Sequence, residues 1–154
     1  RVEVFVPRKS NLRIDTDGEI RLDSVTGEIE LKGDEESINI RDAGGNMKVA
    51  TNSGEVRVIG FRGGFDAKMA EGDVYLEGDF DKLSANVANG TVVLTLPQDA
   101  DAKITSTKEV ETEGIELIRD NDYTWRLGKG SRRYDFDFGD GNLIVRSADV
   151  VNTY

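Results

Sequence analysis

The chain has 154 residues, with 30 acidic against 20 basic, a formal charge of −10, and neither cysteine nor histidine. Disulfides, thiolate metal sites, the usual zinc ligand and every Ser-His or Cys-His dyad are therefore excluded. The length suits one domain spanning 1–154 that needs no cross-link. The acidity repels nucleic acid and anionic lipid, so cations, neutral glycans or basic proteins are the partners it favours.

Along the chain, Val2-Glu-Val4-Phe-Val6-Pro7 alternates and stops at proline, which predicts an edge strand. Leu12 and Ile14 predict a first rung, so residues 1–17 read as the N-terminal edge. No stretch approaches the ~20 apolar residues of a membrane span. The sequence opens at Arg1 rather than Met. The expectation is thus an excised or processed segment, whose contact with a membrane would run only through a segment outside this chain.

From 18 to 96 a nine-residue rhythm takes over. On the grid 18, 27, 36, 45, 54, 63, 72, 81 and 90, glycine holds seven positions, and Glu36 and Asp81 hold the other two. Two and four residues after each grid point stand Ile20/Leu22, Ile29/Leu31, Ile38/Ile40, Met47/Val49, Val56/Val58, Phe65/Ala67, Val74/Leu76, Leu83/Ala85 and Val92/Leu94, all 18 of them apolar. Independent positions would do this about once in 10⁸ trials. Each unit reads as a glycine corner followed by a strand of about five residues with one face buried. No helical stripe competes over 12–96.

Two architectures can use such strands. In an antiparallel barrel or meander, corners alternate between two ends. Here glycine precedes every strand in the same phase, which predicts a single-stranded parallel β-helix, or β-solenoid. The units alternate in a second respect. Val25, Ala43 and Phe61 lie seven residues after their grid points, whereas Thr51, Met69 and Val87 lie six after theirs. One coil is therefore about 18 residues with two strands, and right-handed by the rule for parallel connections.

After Leu96-Pro97 the rhythm breaks, and 97–146 read as irregular final rungs and a C-terminal cap. Ala102/Ile104 and Ile115/Leu117 predict strands, and 118–131 predict a polar, irregular insertion around Trp125. Tyr134-Asp-Phe136-Asp-Phe138 and Leu143-Ile-Val145 predict closing strands at the terminal edge. Residues 147–154 form a tail.

VEVFVPRKSNLRIDT, ATNSGEVRV, AEGDVYL, TVVLTLPQDADAKITS and LGKGSRRYDFDFGDGNLIVRS together resemble the bacterial adhesin-type, or toastrack, domain family over nearly the whole chain. The resemblance implies a β-solenoid of surface or envelope-associated proteins, often joined to a membrane segment and sometimes linked to envelope-stress sensing. It carries over no catalytic residue, because the shared positions are glycines and core aliphatics. Ala67 and Ala85 depart from the large aliphatics of other rungs and imply a locally narrower coil.

The chemistry read directly from residues is sparse. A calcium roll needs G-G-x-G-x-D, which never occurs, and Asp15/Asp17 and Asp137/Asp140 read as turn formers. A polysaccharide-active enzyme needs carboxylates aligned across neighbouring coils. One outward face carries Glu19/Arg21, Ser37/Asn39, Glu55/Arg57, Asp73/Tyr75 and Thr91/Val93; the other carries Glu28/Glu30, Asn46/Lys48, Gly64/Asp66 and Lys82/Ser84. Neither face shows a groove of like residues. Exposed aromatics for carbohydrate contact are limited to Tyr75, Tyr123 and Trp125, and Trp125 reads more simply as a core residue of the cap. The expectation is a non-enzymatic envelope or surface scaffold without cofactor, catalytic or metal residues, which binds a protein or glycan and no nucleic acid. A polysaccharide-active enzyme and a sensor domain of a membrane-anchored protein are the alternatives.

Overall fold

The computed structural model describes residues 2–4, 11–15, 18–35, 37–96, 101–108, 110–121 and 123–147. Every regular element among them is a strand: β1 (Val2–Val4), β2 (Leu12–Asp15), β3 (Ile20–Asp23), β4 (Thr26–Lys32), β5 (Ile38–Arg41), β6 (Gly44–Thr51), β7 (Glu55–Glu71), β8 (Asp73–Leu96), β9 (Ala102–Ser106), β10 (Val110–Glu113), β11 (Ile118–Asn121), β12 (Thr124–Leu127) and β13 (Arg132–Ser147). The rest of the predicted N-terminal strand, Phe5 to Pro7, lies outside the described residues, as do 148–154 of the tail.

From β1 to β6, strands that follow each other in sequence do not pair. Ile20 lies beside Ile38, and Ile38 beside Val56, with the strands parallel and 18 residues apart. This overturns the antiparallel barrel or meander kept open on sequence grounds. The chain instead builds two columns of stacked rungs. In the first, Ile20, Ile38, Val56 and Val74 stack, and beyond them Val92, Leu143 and Val110. In the second, Leu12, Ile29, Met47, Phe65, Leu83, Tyr134, Ile104 and Trp125 stack. The step from Leu12 to Ile29 is 17 residues, so the first rung is one residue short of the period. β7, β8 and β13 run continuously round corners and contribute to both columns.

All 18 predicted apolar residues are buried, and so are the corner residues Val25, Ala43, Phe61, Met69 and Val87. Period-two alternation sends each pair inward, where the two columns share one core. The corners account for the glycines. They stack as Gly27–Gly45–Gly63 on one side and Gly54–Gly72–Gly90–Gly141 on the other. At Gly72 φ is +133°, and a β-carbon there would land on the carbonyl oxygen of Gly54 one coil away. Only glycine satisfies both the backbone and the close approach. The coils containing Ala67 and Ala85 also carry an aromatic cluster. Phe61 meets Phe65 edge-on at 5.5 Å and stacks on Phe80 at 5.6 Å, and Phe80 meets Tyr134 at 6.3 Å.

The last third of the chain departs most from its sequence reading. β9 and β10 do not stack directly on β8. A one-coil gap separates them, and β13 fills it: Phe136 lies beside Ala85 on one flank and Ser106 on the other, while Val145 lies between Leu94 and Thr112. The segment expected at the terminal edge is thus an interior coil. Its entry is pinned by Ser131, whose backbone N–H and hydroxyl each donate to Asp101 at 2.9 Å. Those bonds hold the Asp101 carboxyl below the usual range. Arg132 donates to Asp79 and, at 3.2 Å, to the Phe80 carbonyl, which also accepts from the Tyr134 hydroxyl at 2.7 Å. Burial pushes the Tyr134 phenol upward.

The strand expected at Ile115/Leu117 is displaced. β10 occupies 110–113 instead, where Val110 and Thr112 match Leu143 and Val145, and Gly114 at φ 71° turns the chain away. Residues 118–121 and 124–127 prove regular, being the strands of the antiparallel hairpin β11–β12, with β12 also antiparallel to β9. The sheet is therefore mixed, although its long ladders are parallel. This hairpin closes the second column. Trp125 and Leu127 point into the core, and the Arg119 guanidinium lies 5.3 Å from the centre of the Trp125 ring. β11 is short, charged and bulged between Arg119 and Asn121, three features that discourage pairing along its outer edge.

Candidate functional site

Each column presents an outward face whose side chains are fixed by the pleat. On the first, ion pairs form within rungs as the sequence spacing suggests: Arg21 with Glu19 at 3.5 Å and Arg57 with Glu55 at 3.1 Å. Arg57 also lies over the Tyr75 ring, 5.3 Å from its centre. At the far end Arg146 reaches Glu113 at 2.8 Å. Paired and solvated, these groups form an ordinary polar surface.

The second face is different. A groove of about 880 Å³ runs across six rungs, from Asn11–Arg13 to Arg133–Asp135. Two rows of outward residues line it. One row reads Arg13, Glu30, Lys48 and Asp66, alternating in sign from rung to rung, and then Ser84 and Asp135. The other begins Glu28, Asn46, Gly64, with Asn46 donating to Glu28 at 3.1 Å. It then turns basic at Lys82 and Arg133. Gly64 leaves the groove open midway, between Asn46 and the stem of Lys82.

The three aromatic candidates are not brought together. Tyr75 is half-buried on the first face, under Arg57. Tyr123 is 61% exposed at the turn of the closing hairpin, where its N–H donates to Asn121 at 2.9 Å. Trp125, 6% exposed, belongs to the core, as its simpler reading had it. None of them lines the groove.

Sequence reasoning placed Glu28, Glu30, Asn46, Lys48, Gly64, Asp66, Lys82 and Ser84 on one face, and the structure does the same. It did not place Arg133, Asp135, Lys103 or Arg126 there. The nine-residue grid stops before them, and only the insertion of β13 brings them into register. The strict alternation of Tyr134, Phe136 and Phe138 with charged neighbours was the available signal that β13 has a polar outer face. Among the described residues, no group of three or more acidic side chains is placed to hold a metal ion.

A family model described as Toastrack DUF4097 matches residues 10–109. No curated protein and no solved structure matches.

Proposed function

Because the chain belongs to the Toastrack family, we propose that it is a non-enzymatic scaffold displayed at or beneath the bacterial cell envelope, wound right-handed, that holds a protein or glycan on its second face. The observation that carries this reading is the groove across six rungs, whose side chains are spaced by a hydrogen-bonded sheet rather than by loops. A surface built this way is preorganised and loses little freedom on binding. Its position on consecutive coils suits an extended ligand laid along the stack.

Envelope attachment would run through a segment outside this chain, as in the adhesin-type proteins that the sequence resembles. A sensor role in a membrane-anchored protein would use the same face. The polysaccharide-active alternative draws on Glu28, Glu30 and Asp66 in the groove, although the first is held by Asn46 and the other two alternate with Lys48. One experiment separates the readings. The purified chain is assayed on glycan and protein arrays, and in parallel for chain cleavage of a panel of polysaccharides. Saturable binding without turnover is expected; cleavage that disappears in Glu30→Gln would replace the scaffold by an enzyme.

A further inference from the structure

On the second face the residues opposite one another in successive rungs read Lys82, Arg133, Lys103 and Arg126, followed by Ile118 on the edge strand. Four cations thus stand in consecutive rungs, each pair roughly 4.8 Å apart along the stack. Like charges placed directly opposite in a sheet are destabilising. The neighbouring row avoids the problem by alternating Arg13, Glu30, Lys48 and Asp66. The protein as a whole carries −10, so this run of cations runs against its overall charge. A run of four that breaks a rule kept nearby is the kind of local conflict found where function takes precedence.

The run is only partly neutralised. Arg133 lies 3.8 Å from Asp135, and Arg126 lies 3.5 Å from Asp120, without a hydrogen bond to its buried Nε. Asp81, next to Lys82, is drawn to Arg132 at 4.0 Å. Among the described residues, neither Lys82 nor Lys103 has a carboxylate within ion-pairing distance. Beside these cations, two residues along each strand, stand Ser84, Asp135, Thr105 and the buried Thr124, so two of the four rungs add an accessible hydroxyl.

We propose that the Lys82–Arg133–Lys103–Arg126 ladder, continuing the groove, binds a linear carboxylate-bearing polysaccharide along the stack axis. This rests on the scaffold reading above and gives it a ligand class. A pyranose unit is comparable in length to one rung spacing, so a polyuronate offers about one carboxylate per cation and ring hydroxyls to Ser84 and Thr105. An acidic peptide fits less well. The strand backbones under the face are already paired on both sides, leaving a peptide no free main-chain groups to bond. The net acidity disfavours approach only at long range, since at physiological salt fields decay within about 8 Å.

The test uses the intact chain, with polygalacturonate as probe, dextran as neutral glycan and poly-L-glutamate as acidic peptide, read by calorimetry at two salt concentrations. Binding of polygalacturonate that weakens with salt, tighter than that of poly-L-glutamate and absent for dextran, supports the proposal. Lys103→Gln and Lys82→Gln are each expected to weaken binding about threefold, and Lys103→Glu about tenfold or more. Arg41→Glu, on the first face and outside the groove, is expected to change it less than about twofold. All three residues are exposed, and unchanged Trp125 fluorescence certifies the fold of each variant. The proposal is overturned if polygalacturonate does not bind, if poly-L-glutamate binds as tightly, or if Lys103→Glu binds like the parent. Saturable binding of another glycan or protein that ignores the ladder variants would overturn it too, while leaving the scaffold reading intact.

Discussion

Replacing Gly72 by alanine probes the physical basis of the coil. Gly72 has φ +133°, a region that residues with a side chain rarely enter, which costs about 1–3 kcal/mol. The added β-carbon would also fall on the Gly54 carbonyl oxygen, with Met69 Sδ 3.1 Å away, so neighbouring rungs must separate. Overpacking of this kind costs a further ~1–3 kcal/mol. The sum, about 2–6 kcal/mol, is a large fraction of the ~5–15 kcal/mol that stabilises a domain. Gly64→Ala is the control. No positive φ constrains Gly64, and its β-carbon would meet a movable atom, Asn46 Oδ1, at 3.0 Å. Loss of unfolded-state freedom there gives a change between roughly zero and 1 kcal/mol in favour of the fold. Urea denaturation followed by fluorescence of the single, buried Trp125 reads both variants. A Gly72→Ala stability within about 1 kcal/mol of the parent would refute the stacked-glycine argument.

Other outcomes follow from the core and its pins. Phe61→Ala empties the centre of the aromatic cluster and is expected to cost about 3–5 kcal/mol in the same titration. Tyr134→Phe removes the buried bond to the Phe80 carbonyl and is expected to cost about 1–1.5 kcal/mol. Arg119→Ala uncovers the Trp125 ring, which should red-shift its emission with a stability change of no more than about 1 kcal/mol. Asp101, whose folded-state pKa is depressed by the Ser131 bonds, contributes stability that is present above its unfolded value and lost as pH falls through the folded one. The melting temperature should therefore fall on acidification below about pH 4, and less steeply in Asp101→Asn. Equal slopes in the two proteins would rule out that contribution.

How much was legible in the sequence depends on which rule governs each segment. From Leu12 to Leu96 one operation repeats, so glycine phase and apolar spacing specify the parallel register, the 18-residue coil, the buried pairs and even the short first step. Beyond residue 97 the pairings are set by a gap left between coils, which no periodicity records. Tyr134 and Phe136 looked like the inward residues of a strand, as they are. The neighbours of Tyr134 (Leu83 and Ile104) and of Phe136 (Ala85 and Ser106) lie 51 and 30 residues away and could not be named. The same limit hid the basic row. Lys82, Lys103, Arg126 and Arg133 are unremarkable one by one in the sequence, and they become a ladder only through β13. The polar hairpin read as irregular because its two strands are four residues each, too short for alternation to show.

The central claim is that β13 is an interior coil, stacked between β8 and the β9–β10 coil. Nuclear Overhauser contacts in the isotopically labelled chain test it most directly. The account predicts cross-strand contacts from Phe136 to both Ala85 and Ser106, and from Val145 to both Leu94 and Thr112. Contacts joining Leu83 or Ala85 directly to the backbone of Ile104, with 132–147 at the edge of the stack, would contradict it.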